Sequence, residues 1–361
     1  MWVDFLIKLF LTVLVLFGAL NLAGLLTWVE RKQSAVIQDR IGANRATIFG
    51  IRILGLFHPL ADMIKLITKE DFVPRYANKV LYGIAPFISV FFALIAFAAI
   101  PIGDQIVLWG RQIDLQVANM NIGLLYIFAV MSMGVYGVVL AGFSSNNNYS
   151  FLGGLRATSQ MISYEITMGV SIIGVVMVYG SLNLQEIVRA QGHYWWGIVP
   201  QWGIFVQPVA FFLFLTAAMA ETKRTPFDLP EGESEIIGYF VEYSGMKFGM
   251  FFLTDFLETV LVSALLSTLF FGGWQVPYLL TDGFHFPWGS VWILPSVVVV
   301  LLGMLSFLLK VIFFCWFLMM IRWTLPRFRY DQLMRLGWKM MLPISLLNIL
   351  ITGIVLILIS Y

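Results

Sequence analysis

The stretch ETKRTPFDLPEGESEIIGYFVEY, residues 221–243, places six carboxylates (Glu221, Asp228, Glu231, Glu233, Glu235 and Glu242) within twenty-three residues. Only Lys223 and Arg224 oppose them. Carboxylates crowded at the edge of an apolar medium cannot all ionise, because burial and mutual repulsion both penalise the charged form. Some of them must therefore titrate nearer neutrality, and groups poised in that way take up and release protons. Pro226, Pro230 and Gly232 interrupt any helix through the stretch, while Phe227, Leu229, Tyr239 and Phe240 suit docking on an apolar surface. Proton handling is the chemistry this pattern favours; the plainer alternative is a solvated acidic loop.

Further acids lie inside apolar runs. Glu165 sits in SQMISYEITMGV, and Asp255 and Glu258 share a helix face in MFFLTDFLETV by their three-residue spacing. An acid at membrane depth costs at least ~2.5 kcal/mol on insertion scales, so such residues face a cavity or a partner. Glu165 would otherwise sit at the interface beside Arg156 or another base. Lys310, in a later apolar run, is expected to partner an acid or to extend toward the interface. Together the acids describe a polar path entering a membrane from one side.

Other chemistries find no residues. Cys315 is the one cysteine and lies in an apolar run, which excludes an internal disulfide and any zinc or iron–sulfur site made by this chain alone. His58, His193 and His285 are too scattered for paired haem ligands. No glycine-rich nucleotide loop is present. The chain has no redox group of its own, and nothing points to a nucleic-acid partner.

The elements that must position these residues follow from composition. Of the 361 residues 60% are hydrophobic and 12% charged, with a net charge of +2; the mean hydropathy is +0.88. That is an all-α polytopic membrane protein, because lipid forbids unpaired backbone and no segment alternates as a barrel strand would. Apolar runs near 3–27, 80–101, 122–143, 160–180, 203–220, 248–272, 291–321 and 340–360 predict about eight transmembrane helices in a single membrane domain, 1–361. The first run lacks a cleavage site and reads as a retained span. Eighteen of the twenty-two basic residues fall in the loops at about 28–79, 144–159, 221–247 and 322–339. These odd-to-even loops are expected on the cytoplasmic side of a bacterial inner (plasma) membrane, with both termini opposite. From Leu60 onward Asp62, Lys65 and Lys69 share one face and Met63, Ile64 and Ile67 another, predicting an amphipathic helix at the membrane surface. The opposite loops, 102–121 and 273–290, are rich in Gly, Pro and Trp, as suits the interface.

Six segments resemble one family in order along nearly the whole chain: VERKQSAVIQDRIGANR (29–45), HPLADMIKLITKED (58–71), SSNNNYSFLGGLRATSQMISYE (144–165), AETKRTPFDLPEGESE (220–235), EYSGMKFGMFF (242–252) and PRFRYDQLMRLGWKMMLP (326–343). They are similar to the quinone-site membrane subunits of respiratory complex I, the proton-pumping NADH:quinone oxidoreductase. The resemblance implies an eight-helix subunit, not active alone, at the junction of the membrane arm with the peripheral arm. It implies a quinone tunnel, for ubiquinone or menaquinone, at Arg31, Arg40, Asp62, Lys65, Arg224, Phe227 and Asp228. It implies an acidic funnel for proton coupling through Glu165, Glu221, Glu231, Glu233, Glu235, Glu242 and Asp255. Arg45, Arg322, Arg327 and Arg329 are implied to dock the peripheral arm or to position the loop acids. FMN and iron–sulfur clusters would belong to partner subunits; this chain would bind no cofactor or metal, taking quinone as substrate. Its partners would be lipid, the peripheral-arm subunits, the small membrane-arm subunits and the antiporter-like subunits.

Three departures from the family pattern stand out. The first loop reads Arg40-Ile41-Gly42-Ala43-Asn44 where Gly-Pro-Asn is usual. The run from Glu235 to Glu242 is one residue short, and Asp255 stands where Glu is expected. Two other readings compete: the homologous anchor of a membrane-bound nickel–iron hydrogenase or formate-oxidising complex, and a stand-alone ion transporter. Absence of internal repeats and the elaborate basic face argue against the transporter.

Overall fold

Twenty-residue apolar runs can satisfy their backbone in lipid only as helices, and the computed structural model of the chain is built that way. It describes residues 2–360 apart from 109–110, 196, 233–235, 237 and 281. The first half contains α1 (Trp2–Ile37), α2 (His58–Thr68), α3 (Lys79–Ala96), strands β1 (Gln105–Leu108) and β2 (Arg111–Asp114), α4 (Gly123–Ser144) and α5 (Asn148–Tyr179). Next come α6 (Leu184–Ala190), β3 (Tyr194–Trp195), β4 (Val199–Pro200), α7 (Gly203–Val206), α8 (Pro208–Glu221) and α9 (Gly245–Phe270). The chain ends with β5 (Leu279–Leu280), β6 (Gly283–His285), β7 (Val291–Ile293), α10 (Ser296–Thr324), α11 (Tyr330–Arg335) and α12 (Leu342–Ser360). A π-helical turn, Leu336–Met341, joins α11 to α12 in one continuous rod.

Seven of these rods are long and apolar enough to cross a membrane: α1, α3, α4, α5, α9, α10 and α11–α12. The remaining expected span, the fifth in order, is different. It is divided into α7 and α8 at Gln207, whose φ of −134° is not helical. Pro208 causes the break, since it has no amide hydrogen and its ring clashes with the preceding turn. The fourteen residues of α8 extend only ~21 Å, short of a ~30 Å hydrocarbon core. The break is tied down by amides: Gln207 Nε2 donates to Thr352 Oγ1 (2.8 Å), and Asn348 Nδ2 donates to Gln207 Oε1 (3.0 Å).

α5 starts twelve residues earlier than its apolar run, because the Asn147 side chain accepts from the Tyr149 amide (3.0 Å) and caps the new N-terminus. α4 and α5 cross through glycine: a Cβ on Gly142 would lie 2.8 Å from the Ser150 carbonyl oxygen. A Cβ on Gly153 would lie 2.9 Å from the Tyr239 amide, so the acidic loop lies directly on α5. α9 is the central helix, with 83% of its apolar window buried against 50% or less for the other long helices. α2 is the opposite case and buries no residue. Its apolar positions Leu60, Met63, Ile64 and Ile67 are exposed, as an amphipathic surface helix requires. At the far end of the bundle the hairpins β1–β2 and β3–β4 and the antiparallel sheet β5–β6–β7 cover the Gly- and Trp-rich loops. Exposed Trp288 and Trp292 belong to that end, side chains suited to the headgroup region.

Candidate functional site

α8 ends at Glu221 and the chain turns at Lys223, whose φ of +53° is in the left-handed region. A non-glycine residue there is held by its surroundings. Gln160 of α5, fully buried, donates through Nε2 to the carbonyls of Ala220 (2.8 Å) and Phe227 (2.7 Å), clamping both sides of the turn. The Phe227 ring stacks on Phe328 (5.4 Å) and tilts against Tyr164 (5.8 Å), while the Phe328 amide donates to the Pro226 carbonyl (3.1 Å). The loop is therefore sandwiched between α5 and the segment that leads into α11.

This turn sends two adjacent cations in opposite directions. Lys223, with only 1% of its side chain exposed, points to α9, where Nζ lies 2.9 Å from Asp255 Oδ1 and 3.9 Å from Glu258 Oε2. Arg224 points to α1, where it pairs with Glu30 Oε2 at 3.3 Å and lies 4.2 Å from the Phe256 ring centroid. Arg322 of α10 grips the other oxygen of Glu30 at 2.5 Å. The next residue of α1, Arg31, pairs with Asp62 of α2 at 2.6 Å. Glu221 is fully buried, and its Oε2 has no hydrogen-bond partner among the described residues. Glu165, Glu258 and Lys223 are its electrostatic neighbours. Asp255, Glu258 and Glu221 thus gather about one lysine in a buried pocket, with Glu165 next to Glu221.

Residues 9–353 match the family model described as NADH dehydrogenase. The chain belongs to this family. Among its relatives, it is 47% identical to an NADH-quinone oxidoreductase subunit of Cytophaga hutchinsonii over 353 residues, covering 97% of each chain. It is 47% identical over 336 residues to the corresponding protein of Flavobacterium psychrophilum, covering 92% of each. With an NADH-quinone oxidoreductase subunit of Geobacter sulfurreducens the identity is 46%, covering 95% of this chain and 94% of the relative. All three relatives carry the same subunit letter, H.

For this member of the NADH dehydrogenase family, the structure divides the sequence-selected residues into groups. Asp228 is held by Arg327 in a two-point pair (2.6 and 2.7 Å) and by the Thr225 hydroxyl (3.1 Å). Arg322 and Arg327 are thereby engaged within the chain, Arg329 pairs with Asp331, and Arg45 is exposed. Arg40 and Lys65 are exposed as well, Arg40 donating to Gln38 Oε1 (2.7 Å). Glu165 accepts from the Ser132 hydroxyl of α4. Glu231 ends a short 3-10 turn, Leu229–Glu231, and its side chain lies outside the described residues, as do Glu233 and Glu235.

Glu242 is not with the Lys223 cluster. Its Oε1 accepts from Asn147 Nδ2 (2.7 Å) and its carbonyl from Tyr82 Oη (2.7 Å). It borders an open polar cavity of about 370 Å3 with Arg75, Tyr76 and Asn146. Tyr82 and Tyr243 stack in parallel at 4.0 Å. Burial pushes the Tyr243 phenol up to about 12, with the Ser144 hydroxyl at 3.2 Å acting against the shift. Among the described residues Lys310 meets no acid; its ammonium is taken by three backbone carbonyls. Two residues carry more than the sequence reading assigned them. Glu30 bridges Arg224 and Arg322, and its signal was an acid at the polar end of the first apolar run. Glu258 faces Lys223 beside Asp255, as their three-residue spacing allowed.

Proposed function

We propose that the chain is the membrane subunit through which an NADH:quinone oxidoreductase joins quinone reduction to proton movement. The observation that carries this reading is a row of charges made continuous by two pairs of sequence neighbours. Asp62 pairs with Arg31, Arg31 adjoins Glu30, Glu30 pairs with Arg224, and Arg224 adjoins Lys223, which meets Asp255 and Glu258. One end of the row is the exposed surface helix α2; the other is the core of the bundle.

In this reading quinone reaches the chain between α2, the end of α1 and the turn at 224–228, with Arg31, Asp62, Phe227 and Asp228 along the tunnel and Arg40 and Lys65 at its mouth. Electrons arrive from iron–sulfur clusters and FMN of partner subunits. Reduction of a quinone to the quinol consumes two electrons and two protons, so charge changes at the outer end of the row. The Arg31–Asp62 pair at that end is partly exposed, whereas the Arg224–Glu30 and Lys223–Asp255 pairs behind it are buried enough for the change to be felt by the next. The response is a shift of protons among Glu221, Asp255, Glu258 and Glu165, which passes to antiporter-like partner subunits. Arg322 and Arg327 position the loop acids, and exposed Arg45 and Arg329 are left to dock the peripheral arm. The basic loops face the cytoplasm of a bacterial plasma membrane.

A photoreactive quinone analogue in native membranes tests the reading. Label on residues 28–70 or 221–243, displaced by quinone-site inhibitors, is the expected result. Absence of label there, in membranes that hold the assembled complex, overturns it.

A further inference from the structure

Beyond the acid cluster, α9 carries a line of hydroxyls. Asp255, Thr259, Ser263 and Ser267 follow one another at four-residue intervals, which keeps them on one stripe of the helix. Thr259, Ser263 and Ser267 are fully buried. The first two donate to the carbonyl one turn back, Asp255 (2.7 Å) and Thr259 (2.8 Å), which leaves their oxygen lone pairs available. The Cys315 thiol of α10 donates to Ser263 Oγ (3.3 Å), placing the stripe in the seam between α9 and α10. Ser267 Oγ has no hydrogen-bond partner among the described residues. A buried hydroxyl without a partner, next to others of its kind, is a place for ordered water.

The two ends of the stripe differ. At the loop end it begins at the Lys223–Asp255 pair, beside Glu258, whose Oε2 faces Lys223 at 3.9 Å and has no hydrogen-bond partner among the described residues. At the far end the amides of Phe271 (3.1 Å) and Gly273 (2.8 Å) both fold back onto the Ser267 carbonyl. That turn presents its own carbonyls to Lys310: Nζ donates to Phe271 (2.8 Å), Gly273 (2.9 Å) and Gln275 (2.7 Å). Three acceptors match the three N–H bonds of an ammonium. The Trp202 ring centroid lies 4.8 Å from the same nitrogen. From Asp255 to the Lys310 cage the helix rises ~24 Å, most of the hydrocarbon core.

We infer that Lys310 is an electrostatic plug, whose positive charge, held in place by three carbonyls, closes the far end of a hydroxyl-lined seam to protons. A hydrated row of hydroxyls with carboxyl groups at one end is a potential leak across the membrane. The hydroxyls lie about 6 Å apart along the helix, so a water between each pair carries the proton: each oxygen accepts one proton and gives up its own, and no net reactant is consumed. A cation at the exit raises the barrier to a proton there, as fixed positive charge does in pores that pass water and exclude protons. The inference goes beyond the quinone reading and requires only that the chain spans a membrane bearing a proton gradient.

The test uses membrane vesicles holding the assembled complex at rest, without NADH or added quinone. A pH step is imposed and its decay followed with a trapped dye. Lys310→Gln, which keeps hydrogen bonds and loses the charge, is expected to speed decay roughly tenfold, the effect of removing a unit charge ~10 Å from the path at an effective dielectric of ~20. Lys310→Arg should decay like the parent. Adding Ser263→Ala and Ser267→Ala to Lys310→Gln should restore slow decay. Should Lys310→Gln not assemble, Ser267→Asp sets a carboxylate on the stripe one turn before the lysine's cage and should leak, whereas Ser267→Asn should not. Parent-like decay in an assembled Lys310→Gln complex, or a leak that ignores the serine changes, overturns the plug. So does parent-like decay in Ser267→Asp where only that variant assembles.

Discussion

Two lysines sit inside the bundle near opposite ends of α9, and they are held by different chemistry. Lys223 is buried among Asp255, Glu258 and Glu221, in a backbone conformation that favours glycine. Lys310 is half-buried and held by three backbone carbonyls and an indole face. Carboxylates exchange protons and carbonyls do not. The loop end of α9 therefore holds its cation among groups that exchange protons, and the far end holds its cation among groups that do not.

Substitutions at the loop end should break this contrast most severely. Lys223→Met leaves carboxylates buried without their cation, and breaking a buried pair costs about 3–5 kcal/mol. Loss of assembled complex, measured by native gel, is expected, with partial rescue by Glu258→Gln in the same chain; no rescue would show that Lys223 acts by another route. Glu30→Gln should follow, since it weakens two charged hydrogen bonds at once, each worth about 1.5–3 kcal/mol. Its expected readout is a lowered thermal midpoint together with slower quinone reduction. Asp228→Asn affects a partly exposed pair with Arg327, so about 1 kcal/mol or less is expected from denaturation of the complex.

The smallest effect is expected at Glu242, which lies outside the charged row. Glu242→Gln, which keeps an oxygen to accept from Asn147, should cost under about 1 kcal/mol and leave the pH profile of quinone reduction unchanged. Tyr243 contributes no ionisation near neutrality. Its folded pKa of about 12 exceeds the ordinary 10, so its neutral form is favoured on folding. Stability from this group is constant below pH ~10 and falls as pH rises toward ~12, because the unfolded chain ionises first. Tyr243→Phe should remove that alkaline decline, which thermal denaturation across alkaline pH would detect.

Much of the site was legible because it rests on local pattern. The crowding of acids at 221–235, the shared face of Asp62 and Lys65, and the one-turn spacing of Asp255 and Glu258 are short-range facts. What the sequence hid depends on where the chain returns. Glu242 is close to the other acids in sequence, yet the loop carries it over α3 and α4 to Asn147 and Tyr82. Lys310 suggested an acid partner and found the carbonyls of Phe271, Gly273 and Gln275, because the turn after α9 aims them at it. The broken fifth span was marked by Pro208 inside an apolar run, but its amide clamp to α12 joins residues 141 and 145 positions apart. The strands at the far end are too short to leave a periodic signal.

The most direct test of the central claim is the number of protons moved per quinone reduced in vesicles holding the assembled Glu221→Gln complex. Glu221 is the buried acid between Glu165 and the Lys223 pairs, so removing its exchangeable proton should lower that ratio and slow quinone reduction with it. An unchanged ratio at an unchanged rate, with the complex present at the parental level, would contradict the account.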